Sequence, residues 1–231
     1  MKQLKTPEHL KDQLAKEWAW RKKELALLQE AIELADEKDG ALKTHLRASH
    51  VLLYAHWEGF IKNAAQYYLS FVYSQSLTNL DLQRCFIAIA LQDKLNKWEQ
   101  TISKSAISHK IVGFMFDKLS ESAKMPNSEI IKTESNLKAE MLREIVTNIG
   151  IDYSPYELEE QDIDRHLVGM RNEIAHGQYT HDDRNIENIR HDKQECLRLY
   201  KKIIGLIEKF SEQIQQAADE KLYHRQISSI T

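Results

Sequence analysis

From Ala41 to Tyr73 the chain repeats one register: Leu42, Leu46, Ser49, Leu53, Trp57, Phe60, Ala64, Tyr68 and Phe71 step by three or four residues. A half-buried strand would alternate by two, so this spacing belongs to an α-helix with one apolar stripe. The stripe holds for about nine turns, and at ~1.5 Å per residue the helix is ~50 Å long. Such an element needs a partner of similar length. The preceding segment supplies one. Thr6-Pro7-Glu8 reads as a hydroxyl N-cap, a proline at the first helical position and a carboxylate near the positive helix end. Leu10, Leu14, Trp18, Leu25, Leu28, Ile32 and Ala35 then follow at helical spacing, interrupted at Arg21, with a turn at Asp39-Gly40. Two long antiparallel helices are therefore the expected spine of an all-α, elongated helical bundle.

The rest of the chain is compatible with that class. Seven glycines and three prolines in 231 residues are too few for a fold of short strands and tight turns. They also leave no G-x-G-x-x-G and no G-K-[ST] phosphate loop. Further helices are expected over Leu80 to Gln100, Ile107 to Leu119, Asn136 to Asn148 (capped by Ser135 or Thr133 and stopped by Gly150) and Ile163 to His176 (ending at Gly177). A last helix is expected from Asn185 to Tyr223, with Ile189, Cys196, Leu199, Ile203, Leu206, Phe210, Ile214 and Ala217 on its inner face. Ser154-Pro155-Tyr156-Glu157 has the form of a capping box. No repeat or composition shift marks a boundary. The expectation is one helical domain over 1–231, with its core at about 42–223 and an irregular insertion at about 120–134, around Pro126-Asn127-Ser128.

Several function classes recede on composition. Two cysteines, Cys85 and Cys196, cannot build a disulfide framework or a cysteine-rich zinc site. The longest apolar run, Cys85 to Leu91, is far short of a membrane span, and Met1 to Arg21 is charged throughout, unlike a signal peptide. A cytoplasmic protein with no membrane partner is expected. A net charge of −3 does not suit a dedicated duplex-DNA binder. Charge is uneven, with six lysines between Lys94 and Lys124 and an acidic stretch from Tyr156 to Asp164. His176-x4-His181 with Asp182 and Asp183 is the densest set of possible metal ligands, but a predicted helix end separates the two histidines. No metal and no cofactor are expected. His45, His50 and His56 read as structural histidines on the second helix. Trp57 and Phe60 read as core, and Tyr67, Tyr68 and Tyr73 as packing residues rather than base-stacking ones.

The chemistry-bearing stretch is Arg171-Asn172-Glu173-Ile174-Ala175-His176-Gly177. Arg171 and His176 differ by ~140° in azimuth on a continuous helix, so they do not quite share a face, though the chain unwinds at Gly177. Asn172 and His176 stand at i and i+4, where the amide can hydrogen-bond the imidazole and fix its tautomer. An always-charged fork beside a titratable ring suits phosphate chemistry, with arginine holding the phosphate and histidine moving protons. Arginine and histidine near a helix end are nevertheless common, and the local pattern alone does not decide.

R-N-E-I-A-H resembles the R-x4-6-H signature of HEPN domains, including the polar residue after the arginine. Leu52-Leu53-Tyr54-Ala55-His56-Trp57-Glu58-Gly59-Phe60-Ile61-Lys62, Thr133-Glu134-Ser135-Asn136-Leu137 and Arg171 to Gly177 occur in the order seen in the RiboL-PSP or MAE-like branch. The resemblance implies a metal-independent endoribonuclease of a prokaryotic toxin–antitoxin or antiphage system. Such an enzyme cleaves RNA by 2′-hydroxyl attack, leaves a 2′,3′-cyclic phosphate, and works as a homodimer beside an antitoxin or defence partner. It implies that Arg171 contacts the scissile phosphate, His176 transfers the proton and Asn172 orients the site. Glu58 matches the acidic residue of the second-helix block, either holding Arg171 by an ion pair or serving as a structural carboxylate. The alternative reading is a non-catalytic interaction or nucleotide-binding module. Some members carry a tyrosine two residues after the histidine that a partner modifies; here Gln178 stands there and Tyr179 follows. The acidic flank is a poor bed for RNA unless the Lys94–Lys124 segment or a second subunit supplies positive field.

Overall fold

The computed structural model describes residues 4–36, 40–99, 104–126, 130–178 and 186–225. Among them the fold is all-α, with no strand and only two isolated bridges, Thr78–Ser122 and Leu82–His224. Three long helices form the spine: α1 (Pro7–Leu34), α2 (Gly40–Tyr73) and α7 (Ile186–Asp219). The shorter ones are α3 (Arg84–Glu99), α4 (Lys104–Gly113), α5 (Ala139–Asn148) and α6 (Met170–Ala175). Helix α1 starts as its sequence dictates, with the Thr6 hydroxyl accepting the His9 N–H at 3.3 Å. It runs antiparallel to α2: Trp18 packs edge-on against Phe60, and Arg21, three residues on, meets His56. Helix α7 runs parallel to α2, with Tyr200 bonded to the Ser49 carbonyl and Tyr223 packed edge-on against Phe71. The expected stripes on α2 and α7 are buried, and their side chains belong to one continuous cluster from Leu4 to Tyr223.

Arg21, the expected interruption in α1, is itself buried, at 6% exposure. Its guanidinium is paired with Glu17 at 2.7 Å, lies 4.4 Å from the Trp20 ring and faces Nδ1 of His56 at 3.4 Å. Glu17 is further satisfied by Asn63 and Tyr67. Gly59 makes the room, because a Cβ there would stand 2.8 Å from an Arg21 nitrogen. Nδ1 of His56 faces a donor that is always charged, so it must accept and Nε2 carries the proton, with a Glu24 carboxylate oxygen 3.0 Å away. Burial and the Arg21 charge push the His56 pKa down, and the ring is a structural one.

Several helix ends differ from the sequence expectation, through local turns, changes of winding and, at α5, a distant cap. Asp81 accepts the Thr78 N–H and hydroxyl, setting a 3-10 turn at Asn79–Asp81, so α3 begins at Arg84 rather than Leu80. Helix α4 ends at Gly113 and passes into a π-wound segment, Phe114–Lys118. Helix α5 begins at Ala139, not Asn136, and neither Ser135 nor Thr133 caps it; the carboxylate of Asp164 accepts the Ala139 N–H at 2.7 Å. Ser154 forms no capping box. Its N–H and hydroxyl both donate to Asp152, and the following residues, Ser154–Glu159, wind as a 3-10 helix. The helix expected from Ile163 is π-wound over Asp162–Gly169 before it becomes α6. Helix α7 stops at Asp219, four residues early, because Lys221 turns at φ 54° and returns Tyr223 to the core. Asp39, Gln100, Asn127, Ser128 and Asn185 lie outside the described residues.

The π-wound segment carries α6, and Asp162 fastens it to α7. Its carboxylate receives both Arg198 terminal nitrogens, at 2.7 and 3.2 Å, and Lys202 at 2.6 Å. Arg198 first, and Lys202 after it, hold the Asp162 carboxyl far below the usual carboxylate range. A depressed native value contributes stability that is complete above the ordinary aspartate range and is lost as pH falls below it. Asp162→Asn should therefore cost about 2 kcal/mol at neutral pH. In urea unfolding at a series of pH values, the gap to wild type should stay constant down to about pH 4 and close in stronger acid.

Candidate functional site

Helix α6 ends as the sequence anticipates. Gly177 has φ +69°, its N–H donates to the Ile174 carbonyl, and the Gln178 N–H reaches back to Glu173 at 2.8 Å. This closure leaves His176 at the last half-helical position with its side chain exposed. Arg171, one turn and a half earlier, is half-buried against the bundle. Its guanidinium lies over the Tyr54 ring, 3.9 Å from the centroid, and its Nη2 donates to the Ser135 carbonyl at 2.6 Å. Its Nε is buried with no hydrogen-bond partner.

The segment before α5 is the third wall. Glu134 and Ser135 both sit at left-handed φ, near +50° and +54°, which turns the Ser135 carbonyl onto Arg171. Leu137, fully buried, is tied to α2 twice: its N–H donates to the Tyr54 hydroxyl at 2.9 Å, and its carbonyl accepts the Trp57 indole at 3.3 Å. The Asn172 amide donates to Asn136 at 3.3 Å, so it bridges to this segment rather than to His176 as the i,i+4 spacing suggested. Asn136 meets α6 along its inner side, whereas His176 stands where the helix has already ended. Burial raises the Tyr54 pKa, helped by the Glu58 charge and opposed by the Leu137 N–H and Arg171.

Arg171 and Asn172 thus converge with Tyr54, Ser135 and Asn136, and Glu58 lies near enough for the Tyr54 phenol to feel its charge. No ion pair joins Glu58 to Arg171; Oε1 of Glu58 is buried without a hydrogen-bond partner. His176 is joined by no hydrogen bond to Arg171, to Glu58 or to the Asn172 side chain. Tyr54, Ser135 and Asn136 were not singled out by residue chemistry, yet all three lie within the blocks that carry the family resemblance.

Around this centre two surface depressions are open. One is lined by Lys62, Lys132, Thr133, Glu134 and Ser135, so the lysines at the rim of the site come from outside the Lys94–Lys124 segment. The other is a largely apolar groove of about 420 Å³ between α2 and α6, bounded by Arg47, Val51, Leu52 and Ile174. Tyr68 is buried, Tyr73 donates to the Phe86 carbonyl and Tyr67 to Glu17, so all three pack within the bundle. No group of three histidine, cysteine or carboxylate side chains that could hold a metal occurs among the described residues. Tyr179, His181, Asp182 and Asp183 lie outside them. No helix of the described residues is long and apolar enough to cross a membrane.

The family described as RiboL-PSP-HEPN matches residues 16–216, nearly the whole helical bundle and every residue of the site. The chain belongs to the RiboL-PSP-HEPN family. Comparison with curated proteins and with solved structures finds no match. Within the HEPN bundle of this chain, the R-x4-H element is α6 with its Gly177 terminus, and the two other blocks supply the platform and the turn that receive Arg171.

Proposed function

We propose that this HEPN protein is a metal-independent endoribonuclease of a prokaryotic toxin–antitoxin or antiphage system, acting in the cytoplasm on RNA. The observation that carries this reading is the pairing, on one short helix, of a clamped guanidinium with an exposed imidazole five residues on. In the proposed reaction a base removes the 2′-hydroxyl proton, and the 2′-oxygen attacks the adjacent phosphorus. The bond to the 5′-oxygen breaks as an acid returns a proton to it, leaving a 2′,3′-cyclic phosphate. Arg171 stabilises the charge gathering on the non-bridging oxygens. His176 transfers protons, and Asn172 keeps α6 seated against Asn136. Glu58 supports the site from α2 as a structural carboxylate. Lys62 and Lys132 border the path on which the strand's neighbouring phosphates would lie.

The motif of one chain supplies a single histidine, whereas the reaction needs a base and an acid. The proposal therefore includes a homodimer in which α6 and the groove of Val51, Leu52 and Ile174 meet their copies across a two-fold axis, so that two His176 and two Arg171 share one site. An antitoxin or defence-system partner would regulate it. The competing reading, a non-catalytic nucleotide-binding or interaction module, has one observation in its favour: the Ser135 carbonyl already occupies Nη2 of Arg171.

Purified protein incubated with RNA in excess EDTA separates the two. The nuclease reading expects cleavage to 2′,3′-cyclic phosphate ends and full resistance of a substrate with 2′-deoxyribose at the cleaved position. A divalent-ion requirement, or cutting of the deoxy substrate, overturns the mechanism, and binding without cleavage favours the module.

A further inference from the structure

An arginine that receives a phosphate must be held in orientation without losing its donors, and a guanidinium carries five N–H groups in one plane. Arg171 gives one donor to the Ser135 carbonyl, and one face of its plane lies against Tyr54. These two contacts constrain different motions. The ring restricts tilting of the plane, and the carbonyl restricts rotation within it. Tyr54 stands behind both. It is 5% exposed on the middle of α2, and its hydroxyl holds the Leu137 N–H, two residues from the carbonyl that takes Nη2. Trp57 grips the other side of the same Leu137 peptide. Glu58, for which an ion pair to Arg171 was one of two readings, makes no such pair, and its Oε1 is buried without a hydrogen-bond partner.

We propose that Tyr54 is the positioning residue of the Arg171 site. Its ring is the platform for the guanidinium, and its hydroxyl adds one tie to a turn that Trp57 also holds through the Leu137 carbonyl. Arg171 is then oriented before a phosphate arrives, and Glu58 is not what orients it. The kinetic consequence rests on the nuclease reading; the structural one does not.

The structural arm uses the arginine Nε–H signals in a ¹H–¹⁵N correlation spectrum of the full chain, with the Arg171 signal assigned by its loss in Arg171→Lys. A proton above an aromatic face is displaced upfield, and a buried Nε–H exchanges slowly with water. Tyr54→Phe should keep both properties. Tyr54→Leu, or Tyr54→Met if the leucine variant unfolds, should return the signal to the ordinary arginine position, with exchange at least ~10-fold faster. Glu58→Gln should leave it displaced. In cleavage assays, Tyr54→Leu or Tyr54→Met should lower kcat by ~10–100-fold with KM changed less than about threefold, as for a misplaced reacting group, and Tyr54→Phe should recover most of the loss. A wild-type Arg171 signal in the aliphatic variants, or its displacement lost in Glu58→Gln, overturns the proposal. So does a Tyr54→Phe variant as impaired as the aliphatic ones. If wild type cleaves no RNA yet the aliphatic variants still release the Arg171 signal, the nuclease reading fails and the positioning role stands.

Discussion

His176→Ala should lower the rate of RNA cleavage by ~10²–10⁴ and leave the thermal midpoint of unfolding unchanged. Both halves follow from where the ring sits. It stands just past the end of α6 with its side chain exposed, and its backbone N–H donates to the Asn172 carbonyl at 3.0 Å. Alanine keeps that bond, and the left-handed turn at Gly177 does not depend on the ring. What the nuclease reading expects to be lost is the proton transfer to or from the reacting oxygens. Cleavage rates measured with RNA in EDTA, beside a melting curve of the same preparation, check both halves. A variant that cuts at the wild-type rate removes His176 from the reaction.

Arg171→Ala should cost ~10²–10³ in kcat, the scale seen when one preorganised donor to a developing oxyanion is removed. Unlike His176, Arg171 is woven into the bundle through the Tyr54 face and the Ser135 carbonyl, so its removal should also lower stability by ~1–2 kcal/mol. Arg171→Lys should recover little activity, because an ammonium lacks the planar fork that fits both a ring face and a phosphate. Mixing wild-type chains with His176→Ala chains tests the shared site. Heterodimers hold a single histidine at the common centre, one short of the base and acid that the proposed reaction uses, so activity should fall more steeply than the fraction of wild-type chains. Activity in proportion to that fraction, with subunit exchange verified by mass, would mean that each chain works by itself.

The long stripes were legible because helical register is a local property: residues three and four apart must share a face, and the stripes expected on α2 and α7 are buried, although α2 also buries Tyr54, His56, Ile61, Ala65, Leu69 and Val72 outside its stripe. Thr6 and Gly177 were legible for the same reason, since each acts on peptides within a few positions of itself. Asp164 was not. It caps α5 from twenty-five residues away, and nothing in the spacing of Ser135 or Thr133 reveals that a distant carboxylate takes the Ala139 N–H. Arg21 was misread in a related way: a charge in an apolar register looks like a break until Gly59, on another helix, is seen to leave space for it. At the site, Arg171 and Asn172 lie on α6 as expected, and His176 caps its end. Of the two readings of Glu58, the ion pair to Arg171 is not formed; Tyr54 and Ser135 occupy the guanidinium instead, through a ring face and a peptide carbonyl that carry no mark in composition.

The turn that receives Arg171 also sets when the site can exist during synthesis. Ser135 lies 36 residues before its arginine, and Leu137 lies 83 residues after the tyrosine that pins it. The tie to Ser135 cannot close while the ribosome still holds α6, and Asp162 cannot seat that helix until Arg198 and Lys202 have emerged. Such long-range closures belong to the late, slow part of folding. A nascent chain therefore carries its arginine and histidine through the RNA-dense surroundings of translation unassembled, and the constellation forms only once nearly the whole bundle is free.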